Sequence, residues 1–205
     1  MLRPYLLDNA IVGNDRIVTV MYGYATWSGI PFIFIKESGI MSKTKKLALS
    51  GIFIALGVIL STFSIPVGAS RCFPVQHLIN VLSAVILGPY YGVAMAFITS
   101  FIRVMMGTGT ILAFPGSMCG ALLSGVLFAK FKSKYIAFAG EVFGTGILGA
   151  IVAYPMATLI LSKNAAVFAF VIPFSISTIG GSVLALIFLL ALEKTGILSE
   201  YSLGK

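Results

Sequence analysis

From Met41 onward the charged residues leave five long gaps, 47–70, 72–102, 104–129, 142–162 and 164–192. Each is longer than the roughly 20 residues with which a helix crosses the hydrocarbon core of a bilayer. Only 10% of the chain is charged and 59% is hydrophobic, whereas about a quarter of an ordinary soluble domain is charged. The 72–102 gap has room for two spans, and Leu87-Gly-Pro-Tyr-Tyr-Gly92 in its middle carries the Gly and Pro that punctuate helices. The sequence therefore predicts an all-α membrane protein, a bundle of six transmembrane helices near 47–66, 73–88, 91–106, 113–129, 136–160 and 170–192.

The basic excess, 14 Lys and Arg against 6 Asp and Glu, fits this architecture without a nucleic-acid partner. Lys43, Lys45 and Lys46 precede the first span, Lys130, Lys132 and Lys134 join the fourth to the fifth, and Lys194 follows the sixth. All three clusters fall on one side, which the positive-inside rule makes the cytoplasm. Both ends of the 41–205 region are then expected inside, in a multi-pass protein of the cell membrane. Arg71 and the 107–112 connection are expected outside, and Lys163 is a lone exception to the charge pattern.

Residues 1–40 differ in kind. They hold both Asp residues of the chain, Asp8 and Asp15, and its one Trp, Trp27. They read as an N-terminal extension to the membrane domain of 41–205. Met41-Ser-Lys-Thr-Lys-Lys running into an apolar helix has the form of a natural start, so Met1 as a misassigned start is one expectation. The rival is a seventh span within the uncharged 17–35, against which stands the interruption Gly29-Ile-Pro31.

Small residues recur at every fourth position: Gly51 and Ala55; Gly92, Ala96 and Ser100; Gly116, Gly120 and Ser124; Gly149, Ala153 and Ala157; Ser177, Gly181 and Ala185. In lipid such stripes let helix backbones approach closely. Packing within the bundle and docking to another membrane subunit both use them.

Catalytic material is thin. From Met41 onward there is no Asp, one His, His77, and a single Glu before the last span, Glu141. No zinc-binding H-E-x-x-H and no Walker lysine loop occurs. Gly144-Thr-Gly-Ile-Leu-Gly149 matches G-x-G-x-x-G inside an apolar span and reads as packing. Cys72 and Cys119 read as small hydrophobes. Ser117 with His77 could be imagined as an intramembrane hydrolase, but no nucleophile-elbow spacing surrounds the serine. The expectation is a binding protein, not an enzyme, with neither metal nor cofactor.

Polar residues that break the apolar runs gather toward the outer side: Arg71, Phe73, Gln76, His77 and Asn80, then Thr99 and Arg103, then Phe114 and Ser117. Tyr154 and Thr158 join from the fifth span, and Ser175, Ser177 and Thr178 from the sixth. Gln76, His77 and Asn80 share one helix face. An ionised residue such as Arg103 in a span is costly and marks a functional site, with snorkelling to the interface as its structural alternative. Glu141 either pairs with Lys134 near the cytoplasmic end or reaches Arg103 as a buried carboxylate. Such a constellation suits a small polar heteroaromatic.

Phe73-Pro-Val-Gln-His-Leu-Ile-Asn80, Leu87-Gly-Pro-Tyr-Tyr-Gly92, Ile98-Thr-Ser-Phe-Ile-Arg103, Gly107-Thr-Gly109, Ala113-Phe-Pro-Gly-Ser117 and Gly140-Glu-Val-Phe-Gly-Thr-Gly146, taken in order, resemble the ThiW family over about 41–195. The resemblance implies a six-helix S component of an energy-coupling-factor (ECF) vitamin transporter. Its implied partners are a transmembrane coupling subunit and two cytosolic ATPases. The implied ligand is the thiamine precursor 4-methyl-5-(2-hydroxyethyl)thiazole, with thiamine or another vitamin as the alternative. Docking is then expected through Gly51, Ala55, Gly92, Ala96 and Ser100. Substrate contacts are expected from Phe73, Gln76, His77, Asn80, Arg103, Phe114, Ser117, Glu141, Tyr154 and Ser177.

Overall fold

The computed structural model describes residues 10–13, 16–24, 31–39, 41–67, 70–162, 166 and 168–195. Asp8, Asp15, Trp27 and Lys163 lie outside the described residues. Six helices follow one another: α1 (Lys43–Leu60), α2 (Pro74–Ile86), α3 (Pro89–Met105), α4 (Ala113–Phe131), α5 (Lys134–Ile160) and α6 (Val171–Lys194). Of these, α4, α5 and α6 are long and apolar enough to cross a membrane, and α2 is a shorter apolar helix.

The described residues of the N-terminal extension lie in strands. Strands β1 (Ala10–Gly13), β2 (Arg16–Tyr24) and β3 (Pro31–Gly39) form an antiparallel sheet in the order β1-β2-β3. Two strands thus occupy the stretch considered for a seventh span, and the all-α expectation fails there. Both strands are rich in β-branched and aromatic residues, which suit pleated backbone. A second small sheet, the hairpin of β4 (Ile65–Val67) and β5 (Ser70–Cys72), joins α1 to α2.

Helix α1 begins earlier than expected, because Ser42 caps it by accepting a bond from the Lys45 amide at 3.3 Å. The three lysines therefore stand in the first turns of the helix. The α2–α3 turn forms as expected. Gly88 adopts φ +90°, a conformation costly for any side chain, and Pro89 opens α3. Helix α5 contains two π-helical turns, 144–149 and 156–160. The second follows Pro155, whose ring removes a helix donor; the first is the glycine-rich stretch after Glu141.

The bundle is inside out relative to a soluble protein. Leu159, Ile172, Phe188 and Ile187 are exposed, while Arg103, Glu141, Thr145 and Thr178 are buried. Apolar side chains facing outward over most helices, around an interior that holds buried polar groups beside an apolar cluster centred on α2, suit hydrocarbon as solvent. Two lysine-bearing helix ends are tied to neighbouring helices: Lys46 lies over the Tyr91 ring, and Lys134 at the start of α5 bonds Glu193 at the end of α6.

Glycines set the closest helix approaches. A Cβ on Gly149 would lie 2.6 Å from the Gly116 Cα, and one on Gly144 would lie 2.7 Å from the Cys119 carbonyl oxygen. The G-x-G-x-x-G stretch therefore packs α5 on α4, as its apolar context implied. The stripe Gly92, Ala96 and Ser100 is likewise internal. All three are buried, Gly92 facing Ser83 and Ala84 of α2. Gly51 and Ala55 remain exposed on α1. Cys72 and Cys119 are both free thiols.

Candidate functional site

Two buried charges, from α3 and α5, organise the interior. Glu141 and Arg103 are each 0% exposed, so neither snorkels. Glu141 Oε1 accepts from Asn80 Nδ2 at 2.9 Å and from Thr145 Oγ1 at 3.1 Å, and it lies 2.9 Å from His77 Nδ1. Asn80 Nδ2 also donates to the Ser117 carbonyl at 3.2 Å. Thr178 Oγ1 donates to the backbone carbonyl of Glu141 at 3.3 Å, which ties α6 to the same point.

The pairing of Glu141 with Lys134 does not form, because Lys134 is engaged by Glu193. Nor does a Glu141–Arg103 ion pair appear among the described residues. Helix α2 is the reason. It has only 13 residues, about 20 Å at 1.5 Å per residue, so its first turns start within the bundle and bring His77 and Asn80 to the level of Glu141.

Arg103 takes the other side of α2. Its Nη1 donates to Gln76 Oε1, and its guanidinium carbon sits 4.2 Å from the centre of the Phe73 ring, within cation–π range. Gln76 Nε2 donates to Ser100 Oγ at 3.0 Å, and Ser100 Oγ lies 2.9 Å from Ser117 Oγ. Ser117 Oγ in turn donates to the Ala113 carbonyl at 2.8 Å. Arg103 Nε and Nη2 and Glu141 Oε2 have no hydrogen-bond partner among the described residues.

A cavity of about 50 Å³ lies against this network. Its wall includes Phe73, Gln76, His77, Ser117, Thr145 and Ser177, with Arg71 and Phe174 also contributing. Ser177 Oγ accepts from the Phe73 amide at 2.8 Å, fixing the start of α2 against α6.

Five expected contact residues, Phe73, Gln76, His77, Ser117 and Ser177, thus line the cavity together. Asn80, Arg103 and Glu141 are brought into the network behind that wall. Phe114 is not brought in: its ring packs on Phe97, with centroids 5.4 Å apart. Tyr154 is not among the lining residues either. Both sit on helix faces that the sequence period alone does not fix. Thr145 and Ser100 enter instead. Thr145 stands four residues after Glu141 on one helix face, which is the signal that marks it. Ser100 belonged to a docking stripe until α2 covered it.

The Ser117–His77 couple of a hydrolase is not formed. His77 does have the carboxylate partner that such a histidine requires, but the Ser117 hydroxyl is spent on Ala113 and Ser100. The arrangement is one of neutral donors and acceptors held by two buried charges, suited to recognition of a small polar molecule.

No curated protein matches the chain. The family model for the thiamine-precursor transporter protein (ThiW) matches residues 47–195, which takes in all six helices except the first residues of α1. By that match, spanning well over half of its length, the chain belongs to the ThiW family of thiamine-precursor transporters.

Proposed function

We propose that this protein is the substrate-capture S component of an ATP-driven ECF importer, and that its ligand is 4-methyl-5-(2-hydroxyethyl)thiazole taken up from outside the cell. All six helices span the bilayer in this reading, and both ends of the 41–205 region face the cytoplasm, where the lysines sit. A transmembrane coupling subunit and two cytosolic ATPases supply the energy. The exposed Gly51–Ala55 stripe of α1 is the surface of the expected docking set that remains open to the coupling subunit.

The observation that carries the reading is a cavity, walled in part by amide, imidazole and hydroxyl side chains, within the bundle of a thiamine-precursor transporter family member. Aromatic side chains at its rim suit the thiazole ring, and hydroxyl, amide and imidazole groups suit its nitrogen and hydroxyethyl oxygen. Binding in the absence of turnover follows from the serine's engagement elsewhere.

Calorimetric titration of the detergent-purified chain tests it. Tight binding of the hydroxyethylthiazole is expected, with thiamine and its pyrimidine moiety much weaker. In proteoliposomes the chain alone is expected to give little uptake. Selective binding of another vitamin would overturn the ligand, and vigorous uptake without ATPases would overturn the S-component role. Arg103→Ala removes the donor to Gln76 and the contact with Phe73, and is expected to weaken binding roughly tenfold to a hundredfold, at about 1.4 kcal/mol per tenfold. Unchanged affinity would mean that Gln76 holds its place unaided.

A further inference from the structure

The direction of each hydrogen bond around the cavity can be fixed, and it decides what a ligand must offer. Asn80 Nδ2 is a donor only, and it points at Glu141 Oε1 and at the Ser117 carbonyl, both acceptors. Glu141 Oε1 also takes the Thr145 contact, so it serves as the common acceptor of the cluster. The proton in the 2.9 Å contact between His77 Nδ1 and Glu141 Oε1 therefore belongs to the imidazole. A neutral histidine with Nδ1 protonated carries a bare lone pair at Nε2. His77 lines the cavity, its side chain keeps 9% of its exposure, and Nε2 has no hydrogen-bond partner among the described residues.

The second network has a polarity too. Arg103 can only donate, so Gln76 Oε1 accepts and Gln76 Nε2 donates to Ser100. The Ser117 proton goes to the Ala113 carbonyl, so in the Ser100–Ser117 contact the proton comes from Ser100. Ser117 thus adds no donor to the cavity. Ser177 is the opposite case: its oxygen accepts from the Phe73 amide, and its hydroxyl proton has no acceptor among the described residues. Two residues of the cavity wall are therefore left with hydrogen-bonding capacity unspent among the described residues, an acceptor at His77 Nε2 and a donor at Ser177 Oγ.

We infer that His77, held by Glu141 with its proton on Nδ1, is the specificity-determining residue that reads a ligand hydroxyl as a hydrogen-bond donor to Nε2. Ser177 meets an acceptor nitrogen on the same ligand. The inference rests on the transport reading for its ligand class and extends it: the site selects a free primary alcohol on a heteroaromatic ring over the corresponding ether. Glu141 acts through His77, as a positioning residue. An ether oxygen cannot donate, and its methyl group would leave the Nε2 lone pair unpaired in a buried setting.

Two measurements on the full chain test this. His77 is the one histidine among 205 residues, so 15N-histidine labelling yields a single pair of ring nitrogens by NMR in detergent at neutral pH. The expected signature is a protonated Nδ1 and an unprotonated Nε2. Glu141→Gln retains an acceptor oxygen and is expected to keep that signature, while Glu141→Ala is expected to lose it. A protonated Nε2 in the unmodified chain, in either the neutral or the cationic ring, would overturn the inference.

The second measurement titrates the unmodified chain with the hydroxyethylthiazole, its methyl ether and the 5-ethyl-4-methyl analogue, so no variant has to fold. Both analogues are expected to bind roughly tenfold to a hundredfold more weakly than the alcohol, with the ether no better than the ethyl compound. Equal binding of alcohol and ether overturns the inference and leaves the transport reading standing. No binding of the alcohol overturns the transport reading and the ligand half of the inference with it, and the tautomer half then stands or falls on the NMR result.

Discussion

Replacing Glu141 by alanine is expected to weaken thiazole binding by more than a hundredfold and to cost about 3 kcal/mol of stability. The carboxylate is fully buried and is the shared acceptor for side chains of α2 and α5. Asn80 and Thr145 each keep a second acceptor, the Ser117 and Gly116 carbonyls at 3.2 Å and 3.0 Å. His77 keeps none at Nδ1. The change thus leaves a buried donor, His77 Nδ1, without its acceptor. Binding suffers more than stability, because His77 loses both its orientation and its tautomer. Glu141→Gln preserves the shape and the acceptor oxygen, and should lose no more than about tenfold in affinity. Calorimetry and thermal unfolding in the same detergent read both effects. Wild-type affinity in Glu141→Ala would show that His77 needs no partner to be placed.

Gly181→Ala is expected to be the most damaging single methyl in the chain. A Cβ there would lie 2.1 Å from the Pro74 carbonyl oxygen, 2.7 Å from the His77 Cβ and 3.0 Å from the Leu78 amide nitrogen. Backbone and Cβ atoms have no rotamer by which to withdraw, so α6 must move off the first turn of α2. That turn carries Gln76 and His77, and the Ser177–Phe73 bond anchors it. A loss of about 3 kcal/mol is expected, at the upper end for overpacking, together with loss of binding. The neighbour supplies the control. A Cβ on Gly180 meets only the Pro74 Cβ at 3.9 Å, so Gly180→Ala is expected to raise stability by about 0.5–1 kcal/mol through helix propensity alone. Equal melting of the two variants would sink this account of the α2–α6 contact.

These two positions differ in how plainly the sequence displays them. Glu141 stands out as the one carboxylate in a span, yet the sequence places it near its neighbour Lys134 or at a distance from Arg103, and neither partner is the one it finds. Gly181 belongs to a stripe of small residues like several others. Nothing in its spacing says that it, and not the exposed Gly51, is the one against which a backbone lies. The six helices were legible because the absence of charge over 20 or more residues has few explanations. The N-terminal sheet was not, since the uncharged 17–35 is long enough for a span and equally divides into two shorter strands at Gly29-Ile-Pro31.

The sequence by itself determined the membrane class, the helix boundaries to within a few residues except for α1, which ends at Leu60 and not near 66, the α2–α3 turn at Gly88, and the set of polar side chains that had to be accommodated inside. Hydrophobicity and backbone stereochemistry are local, and they act through residues adjacent in the chain. Only the tertiary structure decided that His77, not Lys134 or Arg103, meets Glu141, that Phe114 turns to Phe97, and that Ser100 joins the site instead of a docking face. Those outcomes depend on the shortness of α2 and on how closely α4, α5 and α6 approach at their glycines. In a low-dielectric interior a polar group must bond to whatever the packing brings within about 3 Å.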